Sequence, residues 1–171
     1  NSHMPNHIQI INKIKPFKKT IKVGSDKSLS IRAVLLASQA IGVSTISNIL
    51  ESEDVLSAIN SIKKLGIECK KVGKQYKILG YGLNGFDIKK KTTIYAGNSG
   101  TFARLILGLL VKTDKVVKVT GDKSLSKRDF SRITEPLKKF GINIKSNSSS
   151  LPLEILGSEF LRPINYVEAR G

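Results

Sequence analysis

A repeat within the chain is the feature that most constrains its fold. The run Lys-Lys-Leu-Gly-Ile begins at Lys63 and the run Lys-Lys-Phe-Gly-Ile begins at Lys138, an offset of 75 residues (138 − 63). The same offset joins Asp54 to Asp129, which come shortly before the two runs. Two copies of one supersecondary unit are the simplest interpretation of this spacing.

Hydrophobic periodicity predicts the same order of elements in both copies: strand, helix, strand, helix and closing hairpin. The chain is therefore expected to fold as an α/β (α+β) protein. The first helix of each copy is apolar nearly all round, which predicts that it is buried on most sides. The predicted elements of the first copy are strand 20–23, helix 28–41, strand 44–49 and helix 54–65, with a C-cap at Gly66. Those of the second copy are strand 92–96, helix 100–111, strand 116–120, helix 129–140 with a C-cap at Gly141, and a hairpin of 142–145 with 153–156 around the polar tract 146–150.

The two copies leave both ends of the chain unassigned. Residues 1–4 resemble a cloning scar with Met4 as the native start, so His3 carries no functional weight. Repeat one covers about 20–85 and repeat two about 92–157, and a third copy is expected to begin at 161–171.

A formal charge of +16 and a pI near 10.0 predict an anionic partner. Aromatic residues make up only 6% of the chain and the lysines are spread along it, which disfavours nucleic acid. A basic polyanion-binding domain stays open as an alternative. Binding that collapses between about 50 and 200 mM salt would identify it.

Cysteine and hydropathy limit the cellular setting. Cys69 is the single cysteine and the two histidines lie near the N-terminus, so we expect no internal disulfide, no metal site and no cofactor. No apolar run approaches the roughly 20 residues of a membrane span, and the first residues lack the apolar core of a signal peptide. The expected setting is the cytoplasm, without a membrane partner.

A strand-to-helix turn at 24–32 carries the residues best suited to bind an anion. It places Lys27, Ser28 and Arg32 around a helix N-terminus, where backbone N–H groups favour phosphate or carboxylate. Lys27 and Arg32 are expected to converge on one anion. Asp26 stands where a Walker A loop needs glycine, which excludes that loop. A Ser-capped helix with solvated cations is the structural alternative.

A second such turn, 97–101, takes the corresponding place in the second copy. It has no bulky side chain, so a ligand can approach its backbone closely, and Arg104 follows one helical turn later. A purely structural turn would explain the glycines equally well.

Two other polar features have ordinary explanations beside functional ones. The loop 121–130 carries Lys123, Lys127 and Arg128, so it could close over an anion as a mobile basic flap, or be a solvated charge run. Asp54 starts a predicted helix and is a good N-cap, which by itself explains it.

Four motifs follow one another in order: Asp-Lys-Ser-Leu-Ser-Ile-Arg at 26–32, Glu-Asp-Val at 53–55, Gly-Asn-Ser-Gly-Thr-x-x-Arg at 97–104, and Gly-Asp through Arg at 121–128. With them the chain, from about residue 22 onward, resembles the N-terminal half of the EPSP synthases, or 3-phosphoshikimate 1-carboxyvinyltransferases. The resemblance implies a fold of two globules built from βαβαββ units with central helices. It assigns 5–23 to the other globule and 24–171 to an incomplete N-terminal domain.

The same resemblance implies the site. Lys27 would contact both substrates, Ser28 and Arg32 would hold shikimate 3-phosphate, and Gly100 and Arg128 would receive phosphoenolpyruvate. Supporting positions in the same cleft would be Asp54, Asn98, Thr101 and Arg104.

The reaction that the resemblance implies is transfer of the enolpyruvyl group to the 5-hydroxyl of shikimate 3-phosphate, with release of phosphate. The family's acid and base carboxylates and its Ser-Ala-Gln-x-Lys loop lie later in the sequence. No catalytic residue is therefore assigned in this chain, which we expect to be inactive alone. The full-length parent is expected to be a monomer, and this chain to self-associate through its uncovered helices.

The chain departs from the family pattern in two places. Gly24-Ser25 stands where Pro-Gly is usual, and Asp129 follows Arg128 where proline is usual, which puts the resting shape of the loop in doubt. A sister family that transfers enolpyruvyl to UDP-N-acetylglucosamine remains an alternative. That family has asparagine after the lysine and a cysteine on the flap, whereas this chain has Ser28 and its one cysteine at Cys69.

Overall fold

The computed structural model describes residues 19–22, 26–82 and 86–157. The assignments made for residues 1–4 and for a third copy at 161–171 lie outside these ranges. Most of the segment 5–23 does as well, and its membership of another globule stays a prediction.

The described residues form two copies of a strand–helix–strand–helix–hairpin unit. The first copy consists of β1 (Lys19–Lys22), α1 (Lys27–Gln39), β2 (Ile41–Ser47), α2 (Glu53–Lys64), β3 (Glu68–Val72) and β4 (Gln75–Tyr81). The second consists of β5 (Thr92–Tyr95), α3 (Gly100–Leu109) with a 3-10 turn (Leu110–Lys112), β6 (Val117–Thr120), a 3-10 turn (Leu125–Lys127), α4 (Ser131–Lys139), β7 (Asn143–Asn147) and β8 (Ser150–Leu156). The predicted order of elements is confirmed.

Each copy builds one four-stranded sheet of the same topology. The orders are β1-β2-β4-β3 and β5-β6-β8-β7, with a parallel first pair and antiparallel remaining pairs in both. The long parallel connection passes through the first helix of the copy, as a parallel pair requires. The repeat read from the sequence is therefore a repeat of structure.

Several predicted boundaries are shifted: the strand predicted at 44–49 is β2 at Ile41–Ser47, and the helix predicted at 129–140 begins at Ser131. The end of the first helix shows the physical reason. The periodicity carried the first helix to Ile41, but α1 ends at Gln39 and Ile41 opens β2, where it pairs with residue 81 of β4. Ala40 already has the extended conformation, with φ −79° and ψ 154°. The apolar pattern at this point is compatible with a helix or a strand, and the pairing of β2 with β4 decides for the strand.

Two glycines in equivalent places let each sheet approach its first helix. A Cβ on Gly80 of β4 would lie 2.1 Å from the carbonyl oxygen of Ala40 and 2.4 Å from that of Ala37. A Cβ on Gly157, just after β8, would lie 2.4 Å from the carbonyl oxygen of Val111. No side chain fits at these contacts.

The core is shared by both copies, because α1 packs against α2, β4 and α3. The first helices are less enclosed than predicted: Leu36 of α1 is 68% exposed. A groove of about 280 Å³ runs between α1 and α3, lined by Arg32, Leu35, Leu36, Gln39, Leu105 and Leu109. The expected self-association stays a prediction. Among the described helices, none has the length and apolar character to cross a bilayer.

Candidate functional site

The two predicted anion-binding turns lie side by side. Asp26 caps α1 by accepting a hydrogen bond from the Leu29 N–H at 2.9 Å, and Ser99 caps α3 by accepting one from Phe102 at 3.0 Å. The hydroxyl of Ser28 lies 3.4 Å from that of Thr101, in the first turns of the two helices. Two helix N-termini, each with free N–H groups and a partial positive charge, therefore face one region.

Asp54 joins the two turns, and its predicted role as an N-cap is wrong. Ser52 caps α2, and Asp54 lies in the first turn of that helix. One of its carboxylate oxygens lies 2.8 Å from the Lys27 ammonium, and the other accepts a hydrogen bond from the Asn98 N–H at 2.9 Å. Its side chain is 12% exposed, against 47% for Lys27. Asp54 thus holds a cation of the first copy beside the turn of the second.

Glycine is required at position 97 by the same contact. Gly97 has φ +62°, and a Cβ there would lie 2.6 Å from a carboxylate oxygen of Asp54. The sequence pattern showed a strand-to-helix turn but gave no sign of this contact, since the two residues are 43 positions apart in the numbering (97 − 54).

Two guanidinium groups converge on Gly100, the first residue of α3. A Cβ on Gly100 would lie 2.6 Å from Nη1 of Arg128 and 2.8 Å from Nη1 of Arg104. The Arg104 guanidinium also stacks over the Phe130 ring, 5.4 Å from its centroid, which fixes its direction. Two arginines beside one helix N-terminus form an arrangement suited to a carboxylate or phosphate.

The loop that carries Arg128 is anchored at several points. Leu125 and Phe130 are buried, and the Phe130 N–H donates to the Ser149 carbonyl at 2.9 Å. The Asp122 carboxylate accepts a hydrogen bond from the Leu125 N–H at 2.8 Å. These contacts favour a fixed loop over the mobile flap that its charges suggested.

The aspartate that replaces the family's proline keeps the local geometry. Arg128 has φ −77° and ψ 150°, the extended conformation that a residue before proline prefers. Asp129 accepts hydrogen bonds from the Ser131 N–H at 2.9 Å and from the Ser131 hydroxyl at 2.8 Å, which form a local turn just before α4. The departure at this position therefore leaves Arg128 directed at Gly100.

Arg32 lies one helical turn beyond Ser28, on the exposed side of α1, and lines the groove between α1 and α3. Residues four apart share a helix face, so Arg32 and Ser28 point to the same side. Its convergence with Lys27 on one anion stays a prediction. Within the described ranges, no group of three or more His, Cys, Asp or Glu side chains is placed to hold a metal ion.

The pKa of Asp122 lies below its usual range, because the carboxylate accepts hydrogen bonds from the Leu125 N–H and the Asn98 side chain and lies near Arg128. Such a carboxylate stabilises the fold above its unfolded pKa of about 3.9, and that contribution is lost as the pH falls through the folded value.

We therefore expect the contribution of the Asp122 carboxylate to the free energy of unfolding to be constant from pH 7 to about 5. Below about pH 4 this contribution should fall. In Asp122→Asn the acid limb should be shallower, because one carboxylate with a lowered pKa is gone. Urea unfolding between pH 3 and 7 measures both curves. Parallel curves for the two proteins would contradict the expectation.

Comparison with known proteins shows the family of this chain. The sequence model of the family "EPSP synthase (3-phosphoshikimate 1-carboxyvinyltransferase)" matches residues 11–169. A 3-phosphoshikimate 1-carboxyvinyltransferase of Ruthia magnifica is 43% identical over 146 residues, covering 85% of this chain and 33% of the relative. One from Streptococcus pyogenes serotype M1 is 41% identical over 153 residues, covering 88% and 35%.

A solved EPSP synthase from Acinetobacter baumannii superposes with a TM-score of 0.70 at 32% identity, over 84% of this chain and 33% of that one. The chain thus spans about a third of the length of the curated relatives it matches. Its repeated βαβαββ units have the enolpyruvyl-transferase-like architecture of these structures. The chain belongs to the EPSP synthase family.

Proposed function

We propose that this chain supplies part of the substrate site of an enzyme that transfers the enolpyruvyl group of phosphoenolpyruvate to the 5-hydroxyl of shikimate 3-phosphate and releases phosphate. The meeting of the two helix N-termini, with Lys27 and two arginines around them, carries the proposal. The relatives are 3-phosphoshikimate 1-carboxyvinyltransferases, which supports shikimate 3-phosphate as the acceptor over UDP-N-acetylglucosamine.

Each side of the site suits one anion. On the α1 side, Lys27, Ser28 and Arg32 would hold the phosphate of shikimate 3-phosphate, with Lys27 also reaching the second substrate. Asp54 would keep the Lys27 ammonium directed into the cleft.

On the α3 side, the N-terminus at Gly100 and the Arg128 guanidinium would receive phosphoenolpyruvate. Arg104 and the Asn98 turn would support that position, and Thr101 would join it to the α1 side through Ser28.

Such a site lowers the barrier mainly by position and charge. Two crowded anions repel one another, and fixed cations both hold them in contact and stabilise charge that develops at the reacting carbon and the departing phosphate. The transfer also needs a group that moves a proton to the methylene carbon, and none of the residues proposed here does so. We therefore expect the 171-residue chain alone to bind substrate without turning it over. The cytoplasmic setting and the monomeric parent stay predictions.

A thermal-shift titration with shikimate 3-phosphate, with and without phosphoenolpyruvate, tests the proposal. At ten times the dissociation constant the ligand should add about 1.4 kcal/mol, which for a chain of this size raises Tm by roughly 3 to 5 °C. Lys27→Ala should abolish the shift, because the phosphate loses a cation and meets the uncompensated Asp54 carboxylate.

Lys89→Ala is the matched control, since Lys89 is 81% exposed and pairs with Asp87 away from the site. It should keep the full shift. An unchanged shift in Lys27→Ala, or no shift in the wild type at millimolar ligand, would refute a formed half-site in this chain.

The charge of +16 favours one competing function, a general polyanion-binding domain. Heparin would then bind with an affinity that falls steeply between about 50 and 200 mM salt, and Lys27→Ala and Lys89→Ala would weaken it equally. The substrate site instead predicts that only Lys27→Ala affects binding.

A further inference from the structure

Asp122 contacts both parts of the α3-side site, yet it has no place in the function proposed above. Its two carboxylate oxygens accept hydrogen bonds from the Asn98 side-chain amide, at 3.2 and 3.0 Å. One of these oxygens also accepts a hydrogen bond from the Leu125 N–H at 2.8 Å. The backbone N–H of Asp122 donates to the Gly97 carbonyl at 2.9 Å. Asp122 thus links the 97–101 turn to the loop 121–130.

The link reaches the arginine on the far side of the loop. The Leu125 N–H opens the 3-10 turn Leu125–Lys127, and Arg128 follows that turn directly, with its N–H donating to the Leu125 carbonyl at 3.1 Å. A carboxylate at the N-terminus of this turn satisfies its free N–H groups. The position of the Arg128 backbone therefore depends on a turn that Asp122 holds.

We propose that Asp122 is a positioning residue for anion binding: it holds the Asn98 turn and the Arg128 loop in the one relative arrangement that brings the guanidinium to Gly100. This rests on the function proposed above. Asp122 acts through Asn98 and Arg128 and does not touch the ligand.

The direction in which the affinity for phosphoenolpyruvate changes when Asp122 is replaced distinguishes a positioning role from a direct effect of its charge. Asp122 is an anion near an anion site, so by Coulomb's law its removal should tighten the binding of phosphoenolpyruvate. If positioning dominates, removal should weaken binding, because an asparagine keeps only one acceptor oxygen for the turn and the loop and places an NH₂ group against the Asn98 NH₂ group. The two accounts predict changes of opposite direction.

Asp129→Asn is the matched control for Asp122→Asn. It removes the same charge from the same loop and also weakens a local turn, but within the described part of the chain the Asp129 carboxylate hydrogen-bonds to Ser131 and not to the 97–101 turn. Both variants should fold with similar stability, because asparagine replaces aspartate in such turns at little cost. Only Asp122→Asn should change the 97–101 turn.

The experiment is an NMR titration of this chain with phosphoenolpyruvate at fixed ionic strength. We expect Asp122→Asn to bind about tenfold more weakly, a loss that corresponds to about 1.4 kcal/mol, and Asp129→Asn to bind as the wild type does or slightly more tightly. Equal or tighter binding by Asp122→Asn, or an equal loss in both variants, would overturn the proposal.

A second readout needs no ligand. In the wild type the Asn98 side-chain amide protons should be slowed in exchange and the backbone of residues 123–128 should be ordered on the nanosecond timescale. Asp122→Asn should lose both while its core resonances stay in place, and Asp129→Asn should keep both. If the wild type fails to bind phosphoenolpyruvate, this chain alone does not form the proposed half-site. The order of the loop then still decides whether Asp122 positions it.

Discussion

Replacing Gly80 with alanine is expected to cost about 3 kcal/mol of folding free energy and to lower Tm by roughly 6 to 12 °C. The new methyl group would lie 2.1 and 2.4 Å from two backbone carbonyl oxygens at the end of α1, and backbone atoms cannot rotate away as a side chain can. Gly42 pairs with Gly80 across β2 and β4, so the sheet itself would have to move. Urea denaturation of the variant measures the loss.

The second copy provides an independent test, and α3 provides the control. Gly157→Ala should cost a similar amount, because its methyl group would meet the Val111 and Thr113 backbone at 2.4 to 2.7 Å. Gly108 lies in α3 with nothing within 4 Å of an added Cβ, so Gly108→Ala should stabilise the fold by about 0.5 to 1 kcal/mol. A harmless Gly80→Ala would show that the sheet and helix are not closely packed at this point.

The repeat and its elements follow from the sequence because they depend on local signals. Apolar periodicity identified the helices, and the glycines at 66 and 141 ended them as predicted, with φ of +95° and +87°. The closing hairpin was harder to delimit. Its turn contains Ser148 and Ser149 at positive φ, where glycine or asparagine would have marked it, so the strands extend further into the polar tract than predicted.

Long-range contacts were beyond the sequence. Asp54 has the residue type and place of an N-cap, and nothing local distinguishes that role from a bridge between Lys27 and Asn98. The family resemblance placed Asp54 near the cleft without showing what it contacts. The link between Asp122 and Asn98, 24 residues apart, was hidden for the same reason.

The two copies contribute different chemistry to one site. Ser28 and Thr101 occupy matching places in the first helical turns, and the residues before them are Lys27 and Gly100. The first copy thus has a cationic side chain at the position where the second has a glycine. The guanidinium groups of Arg104 and Arg128 lie beside that glycine. The repeated fold therefore offers two unlike candidate anion sites, as the two substrates proposed above would require.

Gly100→Ala is accordingly expected to weaken phosphoenolpyruvate binding about tenfold while leaving stability nearly unchanged. The new methyl group would lie 2.6 and 2.8 Å from the ends of two flexible side chains, which can move away at little cost to the fold. Alanine is also a better helix former than glycine, which offsets part of that cost. The displaced guanidinium groups would no longer lie at the helix N-terminus, and a charge-assisted hydrogen bond to the ligand would be lost or lengthened.

The NMR titration with phosphoenolpyruvate measures this loss, and urea denaturation measures the stability. Gly108→Ala adds the same methyl group to the same helix two turns away, so it should bind as the wild type does. Shikimate 3-phosphate, which we assign to the α1 side, should bind Gly100→Ala with an affinity within about twofold of the wild type, a difference of roughly 0.4 kcal/mol. Unchanged phosphoenolpyruvate binding in Gly100→Ala would place that substrate away from the α3 N-terminus. Equal losses for both ligands would mean that the two anion sites are not separate.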